Sequence, residues 1–195
     1  ADWVKRVSLP LNTQLDTSAA ITDRLLPVRN KVAHTHGPDG EHVHDDKAFT
    51  IWLDPTLAAD QASAIHAGLS QLLPESATTL DANLAELLAG LDTLDRQLAT
   101  VFAKVADRQV IYSHPVYQYL NRRYALEGVN VHWEPGAMPR KQAIETLEQY
   151  AGGIMLWEAE PLPELRDQLE SMNIRPVVFA TVATAPASGD YFDIM

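Results

Sequence analysis

The feature that most constrains the fold is a regular alternation of short apolar runs and helical segments after residue 108. The apolar runs lie at 110–113, 129–132, 154–157 and 176–180, and the helical segments between them lie at 115–124, 140–150 and 162–172. Short apolar strands that alternate with helices are typical of a parallel sheet with helices on both faces. The pattern therefore predicts an α/β fold for this part of the chain.

A long helix is predicted immediately before this region. Leucines recur at helical spacing between residues 84 and 98, and the same spacing continues through Phe102 and Val105 to an end near Asp107. Thr79 or Asp81 is the predicted cap. A helix of roughly 25 residues is about 38 Å long, which is enough to span a small protein. We therefore expect it to act as a spine that connects two parts of the molecule.

These patterns divide the chain into three regions. Residues 1–75 are predicted to be the remnant of an N-terminal lobe, residues 76–107 the spine helix, and residues 108–195 a C-terminal α/β lobe. Within the first region, Phe49–Leu53 is predicted to form a short buried strand or extended segment. Asp54 and Pro55 then begin a helix as its cap and first residue, because Asp accepts backbone N–H bonds and Pro lacks the N–H that a first turn leaves unpaired.

The charge and the cysteine content exclude several classes of protein. The chain has 26 Asp and Glu residues against 15 Lys and Arg, for a net charge of -11. Such a surface repels phosphate backbones, so a nucleic acid is not an expected partner. The absence of cysteine excludes disulfides and thiolate zinc sites, and it leaves imidazole and carboxylate as the available metal ligands. No apolar run is long enough to cross a bilayer.

A histidine-rich segment at 34–46 is the first candidate site. It contains four of the seven histidines in the chain together with four carboxylates, namely His34, His36, His42, His44, Asp39, Glu41, Asp45 and Asp46. Each His-x-His pair places two imidazoles on one side of an extended backbone, and imidazole with carboxylate suits zinc, copper or nickel. The alternative is a solvated acidic loop. We favour metal binding because evenly spread histidines would rarely gather in this way.

A second candidate is His114, which follows a predicted strand and begins a predicted helix. Ligands of open α/β sheets bind outside the carboxyl ends of the strands, which is where His114 is expected. Taken alone, a histidine at this position is more often structural. Glu134 and Glu158 also follow strands and are candidates to support a ligand, although solvated carboxylates are the favoured interpretation. His66 and His132 are assigned no role.

The sequence gives no indication of catalysis. It contains no nucleophile elbow, no glycine-rich phosphate loop and no H-E-x-x-H helix. Ser113 and His114 are adjacent, so their side chains point apart on a strand and do not form a catalytic pair. A metallohydrolase would need three fixed ligands and a general base, and only His114 is suitably placed. We therefore expect a binding protein that is not an enzyme.

Several motifs follow one another in an order that resembles that of a known family. The histidine-rich segment precedes Ile51-Trp52-Leu53-Asp54-Pro55, the long helix, Tyr112-Ser113-His114-Pro115 and Tyr124-Ala125-Leu126, and the chain closes with Gly189-Asp190-Tyr191 and Met195. This order resembles the zinc/manganese-type (cluster A-I) periplasmic solute-binding proteins of ABC metal importers. The resemblance implies a periplasmic monomer that binds zinc, manganese or another divalent transition metal and delivers it to a permease in the inner membrane.

The resemblance also implies where metal ligands should lie. The third ligand of the family matches His114, whereas the second falls at Thr50, the fourth falls near Thr181, and the first precedes residue 1, so that the N-terminal lobe is expected to be incomplete. A tetrahedral site needs about three or four protein ligands. Either the histidine-rich segment supplies them, with His44 the nearest in sequence, or the chain is a degenerate relative that acts as an accessory metal chaperone through that segment.

Overall fold

The alternating pattern of the C-terminal region forms a four-stranded parallel sheet. A computed structural model describes residues 9–10, 13–27 and 47–195. The strands are β1 (Val110–Tyr112), β2 (Gly128–Asn130), β3 (Ile154–Trp157) and β4 (Arg175–Val178). All three neighbouring pairs are parallel, in the order β2-β1-β3-β4. The predicted α/β class and parallel sheet are therefore confirmed.

Helices connect and cover the strands of this sheet. The α-helices are α1 (Pro55–Leu72), α2 (Ala77–Ala103), α3 (Gln118–Tyr124), α4 (Lys141–Glu145), α5 (Pro163–Ser171) and α6 (Tyr191–Ile194). Short 3-10 helices lie at Ala19–Arg24, Ile51–Leu53, Pro74–Ser76 and Thr146–Tyr150. Among the described residues, none of the helices combines the length and the apolar character that crossing a membrane requires.

The two faces of the sheet bury separate hydrophobic clusters, because side chains of a strand alternate between its faces. On one face, Tyr112 of β1 and Leu156 of β3 pack with residues of α2 and α3, including Leu94, Leu98, Phe102 and Leu120. On the other face, Ile111, Met155 and Trp157 pack with residues after β2 and from the later helices, including Trp133, Ile144, Leu147, Leu165 and Leu169. Burial of each large apolar side chain contributes about 1.5–3 kcal/mol, so β1 and β3 lie at the centre of the stable region.

Helix α1 begins as the sequence predicts. The Asp54 carboxylate accepts hydrogen bonds from the backbone N–H groups of Thr56 at 3.0 Å and Leu57 at 3.4 Å, and Pro55 occupies the first helical position. The predicted cap of the spine helix α2 is wrong. Thr79 and Asp81 lie inside the helix, because the 3-10 turn at Pro74–Ser76 leads directly into helical backbone at Ala77.

The strand predicted at Phe49–Leu53 is wrong. Ile51–Leu53 forms a 3-10 turn in which the N–H of Leu53 donates to the carbonyl of Thr50 at 3.2 Å and the N–H of Asp54 donates to that of Ile51 at 3.1 Å. Ile51 and Leu53 are still buried. Periodicity cannot distinguish a strand from a helical turn in so short an apolar run, since either conformation buries it.

An ion pair ties the spine helix to the segment that follows β1. The guanidinium of Arg123 in α3 binds both carboxylate oxygens of Asp95 in α2, with Nε 2.8 Å from Oδ1. The hydroxyl of Tyr124 donates to the same carboxylate at 2.9 Å. The Arg123 hydrogen bond holds the pKa of Asp95 below its ordinary value. Asp95 therefore fixes α2 against the last turn of α3, the helix that follows β1.

We expect Asp95→Asn to lower the free energy of unfolding by about 1 kcal/mol at neutral pH, a value reduced from that of a buried pair because Arg123 is partly open to solvent. A carboxylate with a lowered pKa stabilises the fold at pH values above its ordinary 3.8, and this contribution is lost as the pH falls through the lowered pKa. The difference between wild type and variant should therefore shrink in acid, as measured by denaturant unfolding.

Asp92→Asn provides the matched control on the same helix. Asp92 pairs with Arg96 one turn away, and both side chains are highly exposed. An exposed pair of this kind contributes a few tenths of a kcal/mol. Equal losses in the two variants, or a loss in Asp95→Asn that does not change with pH, would contradict the assigned role of Asp95.

Candidate metal centre

His114 lies at the carboxyl end of the central strand β1. The N–H of Ser113 donates to the carbonyl of Leu156 at 2.9 Å, which extends the pairing of β1 with β3 by one residue. The chain then turns, with the N–H of Val116 bonded to the carbonyl of His114 at 2.9 Å, before α3 begins. Because its strand is buried while this turn is at the edge of the sheet, His114 lies between the core and the solvent.

The segments after β2 and β3 reach the same edge. The N–H of Trp133 donates to the carbonyl of Ser113 at 3.0 Å, which aligns the residues after β2 with the end of β1. Glu158 follows directly on Trp157, the last residue of β3. The four side chains at this edge are His114, His132, Glu134 and Glu158, and we refer to them as the carboxyl-edge cluster.

The His114 ring has a carboxylate beside each of its nitrogens. Nδ1 is 3.1 Å from Oε1 of Glu158, and Nε2 is 3.4 Å from Oε1 of Glu134. The side chain of His114 is 15% exposed, that of Glu158 is 29% exposed and that of Glu134 is 66% exposed. The ring of His132 meets that of His114 edge-on, with centroids 6.1 Å apart.

These contacts change the proton affinity of the ring. The hydrogen bond to Glu158 raises the pKa of His114 above its ordinary 6.5, burial opposes this shift, and the charges of Glu134 and Glu158 add to it. Neutral imidazole is the form that binds metal, so an ion must compete with a proton here. The carboxylates of Glu134 and Glu158 therefore attract both a proton and a metal cation to this ring.

The two threonines at the remaining ligand positions of the resemblance are engaged in the fold. Thr50 is buried, and its hydroxyl donates to the carbonyl of Val116. Thr181 is also buried, and its carbonyl accepts the indole N–H of Trp52 at 2.6 Å. Neither residue carries a carboxylate or an imidazole, so neither side chain supplies the type of ligand that the resemblance places at its position.

The predicted ligands His34, His36, His42 and His44 lie outside the described residues, but the structure describes both flanks of their segment. The flanks meet in a bridge between Pro27 and Lys47, and the N–H of Ala48 donates to the carbonyl of Leu26 at 2.8 Å. The buried hydroxyl of Tyr119 accepts from the N–H of Leu26 at 3.1 Å and donates to the carbonyl of Ala48 at 3.0 Å. Both flanks are thereby fixed to α3, the helix that follows His114.

The carboxyl-edge cluster does not form a complete metal site by itself. Within residues 9–10, 13–27 and 47–195, no three His, Asp or Glu side chains are arranged to hold an ion. His114 and Glu134 are two donors with a suitable separation, whereas a tetrahedral zinc site needs three or four protein ligands.

The sequence indicated His114, Glu134 and Glu158 as candidates because each follows a strand, and it favoured solvated carboxylates for the two glutamates. That preference is wrong for Glu158, which is half-buried against the His114 ring. Glu134 is exposed as expected, yet it also lies beside that ring. The carboxyl ends of parallel strands meet at one edge, which is why these residues lie together.

Comparison with known proteins agrees with the motifs. The model of one protein family, described as the periplasmic component A of a zinc-uptake complex, matches residues 1–195. The high-affinity zinc uptake system protein ZnuA of Yersinia pestis is 30% identical over 125 residues, which are 60% of this chain and 39% of that protein. The zinc-binding protein AdcA of Streptococcus pyogenes serotype M3 is 26% identical over 161 residues, which are 76% of this chain and 31% of that protein.

Solved structures share the fold. The metal-dependent lipoprotein YcdH of Bacillus subtilis aligns with a TM-score of 0.71 at 22% identity, over 89% of this chain and 60% of that one. The Zn(II)-bound ZnuA-like domain of Streptococcus pneumoniae AdcA aligns with a TM-score of 0.67 at 20% identity, over 76% of this chain and 60% of that one. Identities this low establish similarity of fold only.

The chain spans about a third of the length of these curated relatives, at 39% and 31%. The family model nevertheless covers it completely. The resemblance to periplasmic zinc/manganese-type solute-binding proteins is thus confirmed, and the protein belongs to the family of periplasmic zinc-uptake components.

Proposed function

We propose that the protein binds a divalent transition metal ion, zinc in the first place, at the carboxyl edge of its sheet and delivers it to the permease of an ABC importer. The observation that carries this proposal is the His114 ring, which lies at that edge with a carboxylate oxygen beside each nitrogen. The ion is bound and released without chemical conversion, in keeping with a family of transport components. The relatives named as zinc uptake and zinc-binding proteins support zinc over other ions.

The missing donors are proposed to come from the histidine-rich segment. Its two flanks are held at Tyr119, five residues after His114 in the chain. Leu26 and Ala48, which flank the segment, therefore lie beside the helix that follows the candidate ligand. Imidazoles from His34, His36, His42 or His44 would complete the three or four ligands that a zinc ion needs.

A second candidate function is that of an accessory metal chaperone, which would bind the ion through the histidine-rich segment alone. The observation in its favour is that Thr50 and Thr181 stand where the resemblance places two ligands. In this case His114 would be a structural residue, held by Glu158 and Glu134. The two functions differ in whether His114 contributes to zinc affinity.

Zinc titration by calorimetry on the metal-free protein tests these alternatives. We expect His114→Ala to lower zinc affinity by at least about tenfold, and replacement of His34, His36, His42 and His44 by alanine to lower it as well, because both groups supply ligands to one ion. His66→Ala is the control, since His66 pairs with Asp81 between α1 and α2. If the variant without the four histidines of the histidine-rich segment loses all binding while His114→Ala binds as wild type does, the accessory chaperone function replaces the proposed one.

The pH dependence of binding gives a separate test. Below its raised pKa the His114 ring is protonated and cannot bind metal, so its contribution to affinity should be complete at higher pH. The ratio of wild-type to His114→Ala affinity should then fall about tenfold for each pH unit below that pKa, because one proton competes with one ion. Taking the ratio removes the titration of the other histidines. A ratio that stays constant from pH 8 to about pH 5 would contradict ligation by His114.

A further inference from the structure

We propose that Glu158 orients the His114 ring through Nδ1 so that the ring can bind a metal ion, and that Glu134 is a second ligand of that ion. This assignment rests on the proposed function, and it gives the two carboxylates different roles. Glu158 is a positioning residue that acts through Nδ1 of His114. Glu134 meets the ion beside Nε2.

The first step concerns the proton on the ring. A neutral histidine carries one N–H, and the tautomer is set by the hydrogen bond that this N–H makes. Oε1 of Glu158 lies 3.1 Å from Nδ1 as an ion-pair contact, whereas Oε1 of Glu134 lies farther from Nε2, at 3.4 Å. The nearer and less exposed carboxylate therefore favours a proton on Nδ1. The lone pair of the neutral ring is then on Nε2, where a metal ion would bind.

The second step concerns the opposite nitrogen. Oε1 of Glu134 lies 3.4 Å from Nε2, beyond the usual length of a hydrogen bond. Two donors that each lie 2.0–2.1 Å from a tetrahedral zinc ion are about 3.3 Å apart. The separation of these two atoms thus matches a pair of ligands that share an ion. Glu134 and the ring need little movement to bind it.

Burial supports the same division of roles. Glu158 is less than half as exposed as Glu134, at 29% against 66%. A carboxylate that orients a ring is most effective in a rigid, half-buried position, because the ring is then already oriented before the ion arrives. A ligand for a transported ion must instead be reachable from solvent. Metal-ligating histidines commonly donate their second N–H to a carboxylate, which orients the ring and increases its basicity.

The first experiment needs no metal. Long-range ¹H–¹⁵N correlation spectra of the metal-free protein, recorded above the pKa of His114, report which ring nitrogen carries the proton. We expect the Nδ1–H tautomer in the wild type and a mixture of tautomers in Glu158→Ala. Glu160→Gln, two residues away and paired with Arg166, removes an equal charge from the same loop and should leave the tautomer unchanged. An Nε2–H tautomer in the wild type would overturn the positioning role of Glu158.

The second experiment measures zinc affinity and the visible spectrum of the protein loaded with Co²⁺, with Glu158→Gln, Glu134→Gln and the Glu160→Gln control. Glu158→Gln should lower zinc affinity by about tenfold to a hundredfold while it leaves the ligand set, and hence the Co²⁺ spectrum, close to that of the wild type. Glu134→Gln should lower affinity and also change the spectrum, because it replaces an ionised oxygen ligand. The melting temperatures of the metal-free variants establish that each one is folded.

The outcomes separate this inference from the proposed function. Failure of the wild type to bind Zn²⁺ would overturn the proposed function together with the ligand role of Glu134, and the tautomer spectra would still decide whether Glu158 orients the ring. Zinc binding by the wild type with unchanged affinity in either glutamate variant would overturn the inference alone. A change of the Co²⁺ spectrum in Glu158→Gln but not in Glu134→Gln would also overturn it, because Glu158 would then be the ligand and Glu134 would not.

Discussion

The architecture depends on the parallel pairing of β1 with both β2 and β3. Parallel strands end at the same edge, so residues that follow different strands, 18 or more positions apart in the sequence, are brought close together by the sheet. The carboxyl-edge cluster is the result. His114 follows β1, His132 and Glu134 follow β2, and Glu158 follows β3. If one crossover ran antiparallel, its residues would be carried to the opposite edge, and the ring would lose one of its carboxylates.

The contacts around this edge keep it in place from two directions. On the sheet side, Tyr112 and Leu156 are buried against the spine helix, and Asp95 binds Arg123 and Tyr124 at the far end of α3. On the N-terminal side, Tyr119 and the Thr50 hydroxyl attach the segments before α1 to α3 and to the turn that precedes it. Helix α3 is only seven residues long, so its position is determined by these contacts more than by its own helical propensity.

The sequence predicted the regular part of the fold well and the site only in part. The four strands, the spine helix and the Asp54 cap are signalled locally, by apolar periodicity and by a capping residue, and all of them are present. The turn at Ile51–Leu53 is not signalled, because burial of a short apolar run does not depend on its backbone conformation. His114 and Glu158 were both candidates because each follows a strand. The contact between the Glu158 carboxylate and the ring 44 residues earlier in the chain was not predicted, because a single sequence does not reveal it.

The carboxyl-edge cluster is held in place by the fold itself. His114, Glu134 and Glu158 follow three strands of one parallel sheet, so their relative positions are set before any ion arrives. The described donors are fewer than the three or four protein ligands of a tetrahedral zinc site. Under the proposed function, imidazoles of the histidine-rich segment would supply the others, and changes to that segment would alter affinity without any change to the sheet edge.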